Sequence, residues 1–216
     1  MDEKTGIQAL ERLEAIGPES KGSHKRKECE YTRHGTTTLM AAVDVGKGEV
    51  VSHRLNASRT EQDFLAFMKA TLAQLPENEQ LVLLVDQLNT HMSVSLVEWV
   101  AEQIGFTGEL GTKGGKGILK NMKTRKAFLE DENHRIRFVY TPKHCSWLNP
   151  VENWFAKLQR HVIRNGNFSS VDELEGKIES YINFYNRCLV KPLKWSFKGF
   201  IKAKELKNLN HQVIHS

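Results

Sequence analysis

The sequence predicts one α/β domain in which helices cover a mixed β-sheet. Three patterns support this prediction: a hairpin at residues 36–55, a continuous apolar run at residues 81–85, and amphipathic helices that alternate with strands afterwards. Alternating strands and helices are typical of α/β domains. A chain of 216 residues is long enough for one such domain with a sizeable core, and short for two.

Composition argues against several other classes of protein. The chain is 39% hydrophobic and 26% charged with only 5 Pro, which argues against disorder. No apolar run approaches the roughly 20 residues of a transmembrane helix. The charged residues 1–4 lack the apolar segment of a signal peptide. Three cysteines without ligand-like spacing predict reduced thiols, so we expect a cytoplasmic protein.

Charge is distributed unevenly along the chain. Residues 1–110 hold 11 Lys and Arg against 17 Asp and Glu, whereas residues 111–216 hold 20 against 9. Such a split predicts that one side of the protein meets a polyanion, and nucleic acid is the natural candidate. A solvated basic surface is the alternative, and charge alone does not decide between the two.

The first part of the chain predicts a hairpin and a capped helix. Residues 1–35 are polar, and we expect them to be mostly irregular. Alternating apolar residues predict a strand at 36–44, and a glycine turn leads to a second strand at 49–55. Thr60 and Asp63 then have the spacing of a capping box at the start of an amphipathic helix.

The middle of the chain predicts two strands and a helix. The run at 81–85 is apolar throughout, which predicts a strand buried on both faces. Ser93 is expected to cap a helix that ends near residue 104, and residues 135–140 alternate as a further strand. Between them, residues 105–133 are rich in glycine and lysine and predict a basic insertion outside the core.

Two amphipathic helices complete the predicted domain. One begins near Pro150, and the other begins after Ser170 and ends near Asn186. The chain then ends in a basic tail.

Two acidic residues occupy positions that suit catalysis. Asp86 follows the apolar strand at its carboxyl end, where open α/β sheets place ligand-binding groups. Glu152 lies at the start of the helix near Pro150. Each has a structural alternative, because Asp86 also fits a turn and Glu152 fits the third position of a capping box with Asn149.

Carboxylates at these positions are hard oxygen ligands that suit Mg²⁺. Two metal ions about 3.5–4 Å apart can clamp the attacking and leaving oxygens of a phosphodiester displacement. Such a site needs a third carboxylate, for which Asp2 and Asp44 are the candidates. Asp44 also fits a plain turn position, and spacing alone does not choose between the two.

Basic residues in the second half of the chain are candidate contacts to DNA phosphates. They are Lys113, Lys116, Lys120, Lys123, Arg125, Lys126 and Lys143. His91, Asn149 and Trp147 are candidate supporting residues near Asp86 and Glu152. Trp147 offers a surface for stacking on a flipped base, although aromatic residues near helices more often belong to the core.

Seven short segments form a combination far more specific than any one motif. They are DEKTGIQALER at 2–12, RHGT at 33–36, AAVD at 41–44, LVDQLNTH at 84–91, YTPKHCSWLNPVENWF at 140–155, GNF at 166–168 and FYNR at 184–187. Together they resemble the catalytic domain of bacterial insertion-sequence transposases of the mariner superfamily. The resemblance runs from residue 2 to about residue 200.

The resemblance implies an RNase H-like mixed β-sheet flanked by helices and a DDE triad of Asp2, Asp86 and Glu152. Asp44 then becomes a structural turn residue. Two Mg²⁺ ions, with Mn²⁺ as a substitute, are implied at the triad. The implied reaction is hydrolysis at the transposon ends, followed by attack of the freed 3′-hydroxyl on target DNA. The implied catalytic domain covers residues 1–200 with the insertion at 105–133, and residues 201–216 form the tail.

Three departures from the family pattern matter. Asp86 and Glu152 are 66 positions apart, which is longer than usual, and Gln87 stands where the family usually has Asn. Family members also carry N-terminal helix-turn-helix modules, and only Met1 precedes Asp2 here. We therefore expect a truncated first strand. Either the reading frame is truncated, or the upstream part with the helix-turn-helix modules is encoded in another frame.

The partners and the alternatives follow from the same resemblance. Transposon ends, target DNA and a second copy of the chain are the expected partners. A catalytically inactive DNA-binding remnant that modulates a full-length transposase is the main alternative. An RNase H-like nuclease acting on branched or hybrid substrates is a weaker one.

Overall fold

The computed structural model describes residues 1–12, 30–76, 79–143 and 145–193. The strands within these ranges are β1 (Asp2–Arg12), β2 (Tyr31–Val43), β3 (Val50–Asn56), β4 (Leu81–Val85) and β5 (Ile136–Tyr140). The α-helices are α1 (Glu61–Leu72), α2 (Val94–Gln103), α3 (Met122–Leu129), α4 (Val151–Leu158) and α5 (Val171–Cys188). None of these helices is long and apolar enough to cross a membrane.

The strands form an antiparallel and a parallel sheet that meet at the start of the chain. β1, β2 and β3 pair in sequence order, and all three run antiparallel to their neighbours. β4 and β5 pair in parallel, from Leu81 opposite Ile136 to Val85 opposite Tyr140. The nitrogen of Met1, at the head of β1, donates to the carbonyl oxygen of Leu84 at 2.8 Å. The start of β1 therefore lies beside the end of β4.

Helices cover both faces of the antiparallel sheet. Leu39 and Ala41 of β2 pack against α4 and α5, whereas Met40 and Ala42 belong to the core beneath α1, α2 and α3. Successive side chains of a strand point to opposite faces, so β2 supplies both cores at once. The predicted α/β class with helices on both faces is confirmed.

Several predicted elements form as their end signals indicate. Thr60 and Asp63 make the expected capping box of α1. Ser93 and Ser170 accept hydrogen bonds from backbone N–H groups in the first turns of α2 and α5. The predicted hairpin is β2 and β3, and Ile136, Phe138 and Tyr140 are the buried side chains of β5.

The expectation of an irregular start is wrong for the described part of residues 1–35. β1 occupies Asp2–Arg12, and β2 already begins at Tyr31. Ile7 and Ala9 are buried against α4 and α5, so the strand alternates, but charged and polar neighbours hide the pattern. Residues 13–29 lie outside the described part of the chain.

The prediction that the apolar run at 81–85 is buried on both faces is also wrong. Val82 is 58% exposed, while Leu83 and Val85 lie in the core beneath α1, α2 and α3. The strand buried on both faces is instead β2, which is buried from Thr37 to Ala42. An apolar run alone does not say which strand lies between two helical layers.

The segment at 105–133 is only partly the insertion that its composition predicts. Its second half contains α3, and Leu119, Phe128 and Leu129 are core residues. Its first half, from 105 to 117, is mostly exposed and turns at glycines with positive φ. Gly111 and Gly117 approach each other too closely for a Cβ at either position. The expectation that the whole segment lies outside the core is corrected accordingly.

Candidate active site

Asp2 lies at the first position of β1, with its side chain held by two amides. Asn149 Nδ2 donates to Asp2 Oδ2 at 3.2 Å and to the Met1 carbonyl oxygen at 2.7 Å. The backbone N–H of Glu3 donates to Asp2 Oδ1 at 2.8 Å. Asp2 and Asn149 are both buried. The loop that precedes α4 is thereby attached to the start of β1.

Asn149 and Glu152 do not form the capping box that their spacing allows, although Asn149 Oδ1 lies 3.5 Å from the Val151 N–H, at the limit of a hydrogen bond. Pro150 is the residue before α4, and no side chain caps the helix. The amide nitrogen of Asn149 is turned to Asp2 and Met1 instead. Glu152 stands in the first turn, half-buried, and its charge reaches Asp2.

Asp86 follows the last residue of β4, as the sequence predicts. Its Oδ1 accepts from His91 Nδ1 at 2.8 Å and from the backbone N–H of Leu88 at 3.1 Å. His91 is fully buried: the Tyr140 hydroxyl donates to its carbonyl oxygen at 2.7 Å, and the Phe64 ring lies 4.2 Å from its imidazole. His91 therefore fixes the orientation of Asp86.

Glu3 is a second buried acid that the sequence reasoning missed. Its side chain is 2% exposed, and its Oε1 lies 3.5 Å from His91 Nε2. At this separation the two side chains form an ion pair rather than a hydrogen bond. Neither Glu3 oxygen has a hydrogen-bond partner among the described residues. Glu3 follows Asp2 on a strand, so the two carboxylates face opposite sides. Glu3 directly follows the candidate acid Asp2, and His91 lies five residues after the candidate acid Asp86, and this pairing is the signal that could have revealed it.

The pKa values of Asp2, His91 and Asp86 are shifted from their usual values, each for its own reasons. Burial raises the pKa of Asp2 to about 6 despite its hydrogen bond from the Glu3 N–H, and the charges of Asp86 and Glu152 add to the rise. Burial alone would lower the pKa of His91, but its contacts to Asp86 and Glu3 raise it to about 9. Burial also opposes ionisation of Asp86, yet His91 and the Leu88 N–H hold the Asp86 pKa below its usual value.

The donor types and their charge fit a divalent cation. The charges of Asp86 and Glu152 both act on the buried Asp2, and the single positive charge of the Met1 amino group only partly offsets them. In the described residues, however, no three His, Cys, Asp or Glu side chains converge on one point as metal ligands. Asp86 Oδ1 is committed to His91, and both Asp2 oxygens accept amide hydrogen bonds.

Asp44, the other candidate for the third carboxylate, lies in the turn between β2 and β3. Its Oδ1 accepts from the backbone N–H of Lys47 at 3.0 Å, and its carbonyl oxygen accepts from the N–H of Gly48 at 2.6 Å. Its side chain thus closes a turn, as the resemblance implies.

The candidate DNA contacts differ in exposure. The exposed ones are Lys113, Lys116, Lys120, Lys123 and Lys143. Lys126 is half-buried, 3.6 Å from Glu130 and above the Tyr140 ring. Arg125 is buried in α3. The exposed lysines are therefore the members of this set that a phosphate can reach in this structure.

Trp147 is the most exposed large apolar side chain of the described residues, at 67%. It lies in the short turn Ser146–Leu148, directly before Asn149. Trp154, one residue beyond the first turn of α4, is instead buried against α5. Only Trp147 of these two tryptophans is placed to meet a ligand.

Comparison with known proteins agrees with this arrangement. The model of one family, described as DDE superfamily endonuclease, matches residues 1–175. The search of curated proteins returned no match. The matched region contains both sheets, α1 to α4, and the three interacting carboxylates. With its RNase H-like α/β fold and this match over most of its length, the chain belongs to the DDE superfamily endonucleases, whose substrate is DNA.

Proposed function

We propose that this chain cuts DNA strands at transposon ends and joins the freed 3′-hydroxyl to target DNA. Asp2, Asp86 and Glu152 are the proposed catalytic carboxylates. The observation that carries the proposal is electrostatic: burial raises the pKa of Asp2 to about 6, and the charges of Asp86 and Glu152 add to the rise. Two acids whose charges act on a third, buried acid favour a cation beside it.

Asp2, Asp86 and Glu152 would hold two Mg²⁺ ions, for which Mn²⁺ can substitute. Bound there, such ions activate the attacking oxygen and stabilise the leaving oxygen of a phosphodiester. The protein contributes placement, because each carboxylate comes from a different element: β1, the end of β4, and α4. Asn149 fixes Asp2, and His91 fixes Asp86 through Oδ1.

DNA contacts are proposed for the exposed lysines of residues 113–123, which end in the first turn of α3, and of the loop after β5. Lys113, Lys120, Lys123 and Lys143 are exposed, and Lys116 is exposed but lies 3.8 Å from Glu109. Trp147 offers an open aromatic face beside Asn149, on which an unpaired base can stack. Replacement of Lys113, Lys120 and Lys123 by Ala should weaken DNA binding and lower its salt dependence. Unchanged affinity would remove this segment from the interface.

The first experiment is nicking of supercoiled plasmid in Mn²⁺ by the parent chain and by Glu152→Gln. Mn²⁺ accepts the same oxygen ligands as Mg²⁺. The matched control is Glu98→Gln, an exposed glutamate of α2. We expect nicks with extendable 3′-hydroxyl ends from the parent and the control, and none from Glu152→Gln. Equal nicking by all three would contradict the proposed carboxylates.

A DNA-binding remnant without cleavage is the second candidate function. It is favoured by the lack of convergence of the three carboxylates in the described residues. DNA binding by a folded parent chain, without nicking in Mn²⁺, would select this candidate. A homodimer, a separately encoded helix-turn-helix partner and a cytoplasmic location remain parts of the transposase proposal, and sedimentation with and without DNA tests the dimer.

A further inference from the structure

A basic cleft lies beside the carboxylates, between β1 and the end of the α4 helix. Its volume is about 330 Å³. Its polar lining includes Lys4, Gln8, Arg12, Gln159 and Arg164, and none of the described residues that line it is acidic. Buried apolar residues on the two sides of the cleft, Ile7 and Phe168, also line it.

Both walls of the cleft depart from regular structure at the positions that line it. β1 changes register between Lys4 and Ile7, where Gly6 has a φ of 64°. On the opposite wall α4 continues into a π-turn at Gln159–Ile163, closed by a hydrogen bond of 2.8 Å from the Arg164 N–H to the Gln159 carbonyl oxygen. Bulges and π-turns are frequent at functional sites because they redirect side chains.

The charges of the cleft are fixed to different degrees. Arg12 is held at its far end, since its guanidinium donates to the Gly166 carbonyl oxygen at 3.0 Å. Arg164 is exposed and Lys4 is half-buried. Among the described lining residues, three cations face no carboxylate, and such a surface favours an anionic ligand.

Each wall of the cleft belongs to an element that carries one of the proposed catalytic carboxylates, Asp2 on β1 or Glu152 on α4. Lys4 is two residues from Asp2, so it lies about 7 Å along the strand and on the same face. Gln159 is seven residues from Glu152, which is about 10 Å along a helix. One DNA strand carries a charge about every 3.4 Å of helix axis, so the cleft begins within a few nucleotides of the carboxylates.

We propose that this cleft binds the phosphate backbone of the DNA strand that flanks the cleavage point, with Lys4 and Arg164 as phosphate contacts. The inference rests on the proposed function and deepens it, because it names where the substrate strand leaves the catalytic carboxylates. It differs from the lysine segment at residues 113–123, which belongs to another part of the chain.

The test compares two double variants with equal loss of charge: Lys4→Ala/Arg164→Ala in the cleft, and Lys69→Ala/Lys177→Ala at exposed positions on α1 and α5. The probe is a short fluorescent DNA duplex titrated at several salt concentrations without divalent metal. Each lost phosphate contact lowers the slope of log affinity against log salt by about 0.9, so we expect a drop near 2 for the cleft variant. The control should keep the parent slope.

Two readouts separate this inference from the proposed function. Equal slopes for the two double variants, or binding by the parent to RNA but not to DNA, would overturn the cleft assignment. A lower slope in the cleft variant supports it whether or not the parent nicks plasmid. If the parent nicks, the cleft variant should show a raised KM with little change in kcat, because the removed contacts bind substrate and transition state alike.

Discussion

Two consecutive residues at the head of β1 carry buried carboxylates with opposite electrostatic surroundings. Asp2 faces Asn149, and burial raises its pKa to about 6, with the charges of Asp86 and Glu152 adding to the rise. Glu3 faces the other way, toward His91, whose pKa is raised to about 9 by its two acidic neighbours. Glu3 therefore has the buried His91 cation beside it, whereas Asp2 is influenced by two acids, whose charges outnumber that of the Met1 amino group.

The difference separates a group that balances its own charge, Glu3, His91 and Asp86, from a group with excess negative charge, Asp2, Asp86 and Glu152. In the first group, His91 lies between Glu3 and Asp86 and supplies the positive charge. His91 also fixes the orientation of Asp86. The cluster of Asp2, Asp86 and Glu152 has excess negative charge that a divalent cation would balance. Asp86 belongs to both groups and couples them.

The largest effect should come from removing the buried cation. His91→Gln leaves Glu3 buried without a charge partner, and breaking a buried pair costs about 3–5 kcal/mol of unfolding free energy. The control is His34→Gln, since His34 lies only 2.7 Å from Glu11 but both side chains are partly exposed. Exposed pairs contribute about 0–1 kcal/mol, and urea unfolding measures both variants. A similar loss of unfolding free energy in both variants would mean that burial does not determine how much the His91–Glu3 pair stabilises the fold.

The next effect is the pH dependence of the same pair. The His91 pKa is raised from 6.5 to about 9 in the folded state, so its protonation stabilises the fold fully below pH 6.5. That stabilisation, about 3 kcal/mol, should be lost as the pH rises toward 9. Urea unfolding at both ends of this range checks the sign. Glu3→Gln should shrink the loss, and an unchanged loss would exclude Glu3 as a cause of the His91 shift.

A somewhat smaller effect on stability is expected when a divalent cation binds to the cluster of Asp2, Asp86 and Glu152. A ligand at 100 times its Kd stabilises the folded state by about 2.7 kcal/mol, so Mn²⁺ should raise the Tm of the parent chain. Asp2→Asn should reduce the rise. Because the pKa of Asp2 is about 6, protons should compete with Mn²⁺ below that pH. A rise in Tm that Asp2→Asn leaves intact would place the cation elsewhere.

The smallest effect should come from Asp44, the acid outside both groups. Asp44→Ala removes the hydrogen bond to the Lys47 N–H, which is worth about 1 kcal/mol. Plasmid nicking per folded molecule should stay at the parent level, while Asp2→Asn should abolish it. Loss of nicking in folded Asp44→Ala would reopen the choice between the two aspartates.

Local sequence signals determined many of the elements of this protein. Thr60, Ser93 and Ser170 mark the starts of three helices because their side chains satisfy N–H groups that a first turn leaves unpaired. Asp86 was found because the end of an apolar strand is visible in sequence. The family resemblance, and not spacing, chose Asp2 over Asp44.

Only the tertiary structure decided how these elements combine. Val82 is exposed and β2 is buried on both faces because burial depends on which helices pack against a strand, which no run of residues states. The sequence predicts Asn149 as a helix cap, but its side chain donates a hydrogen bond to Asp2, which lies 147 positions earlier in the chain. Glu3 and His91 pair across 88 positions for the same reason: charge balance in a buried site is set by neighbours in space, and sequence distance carries no information about it.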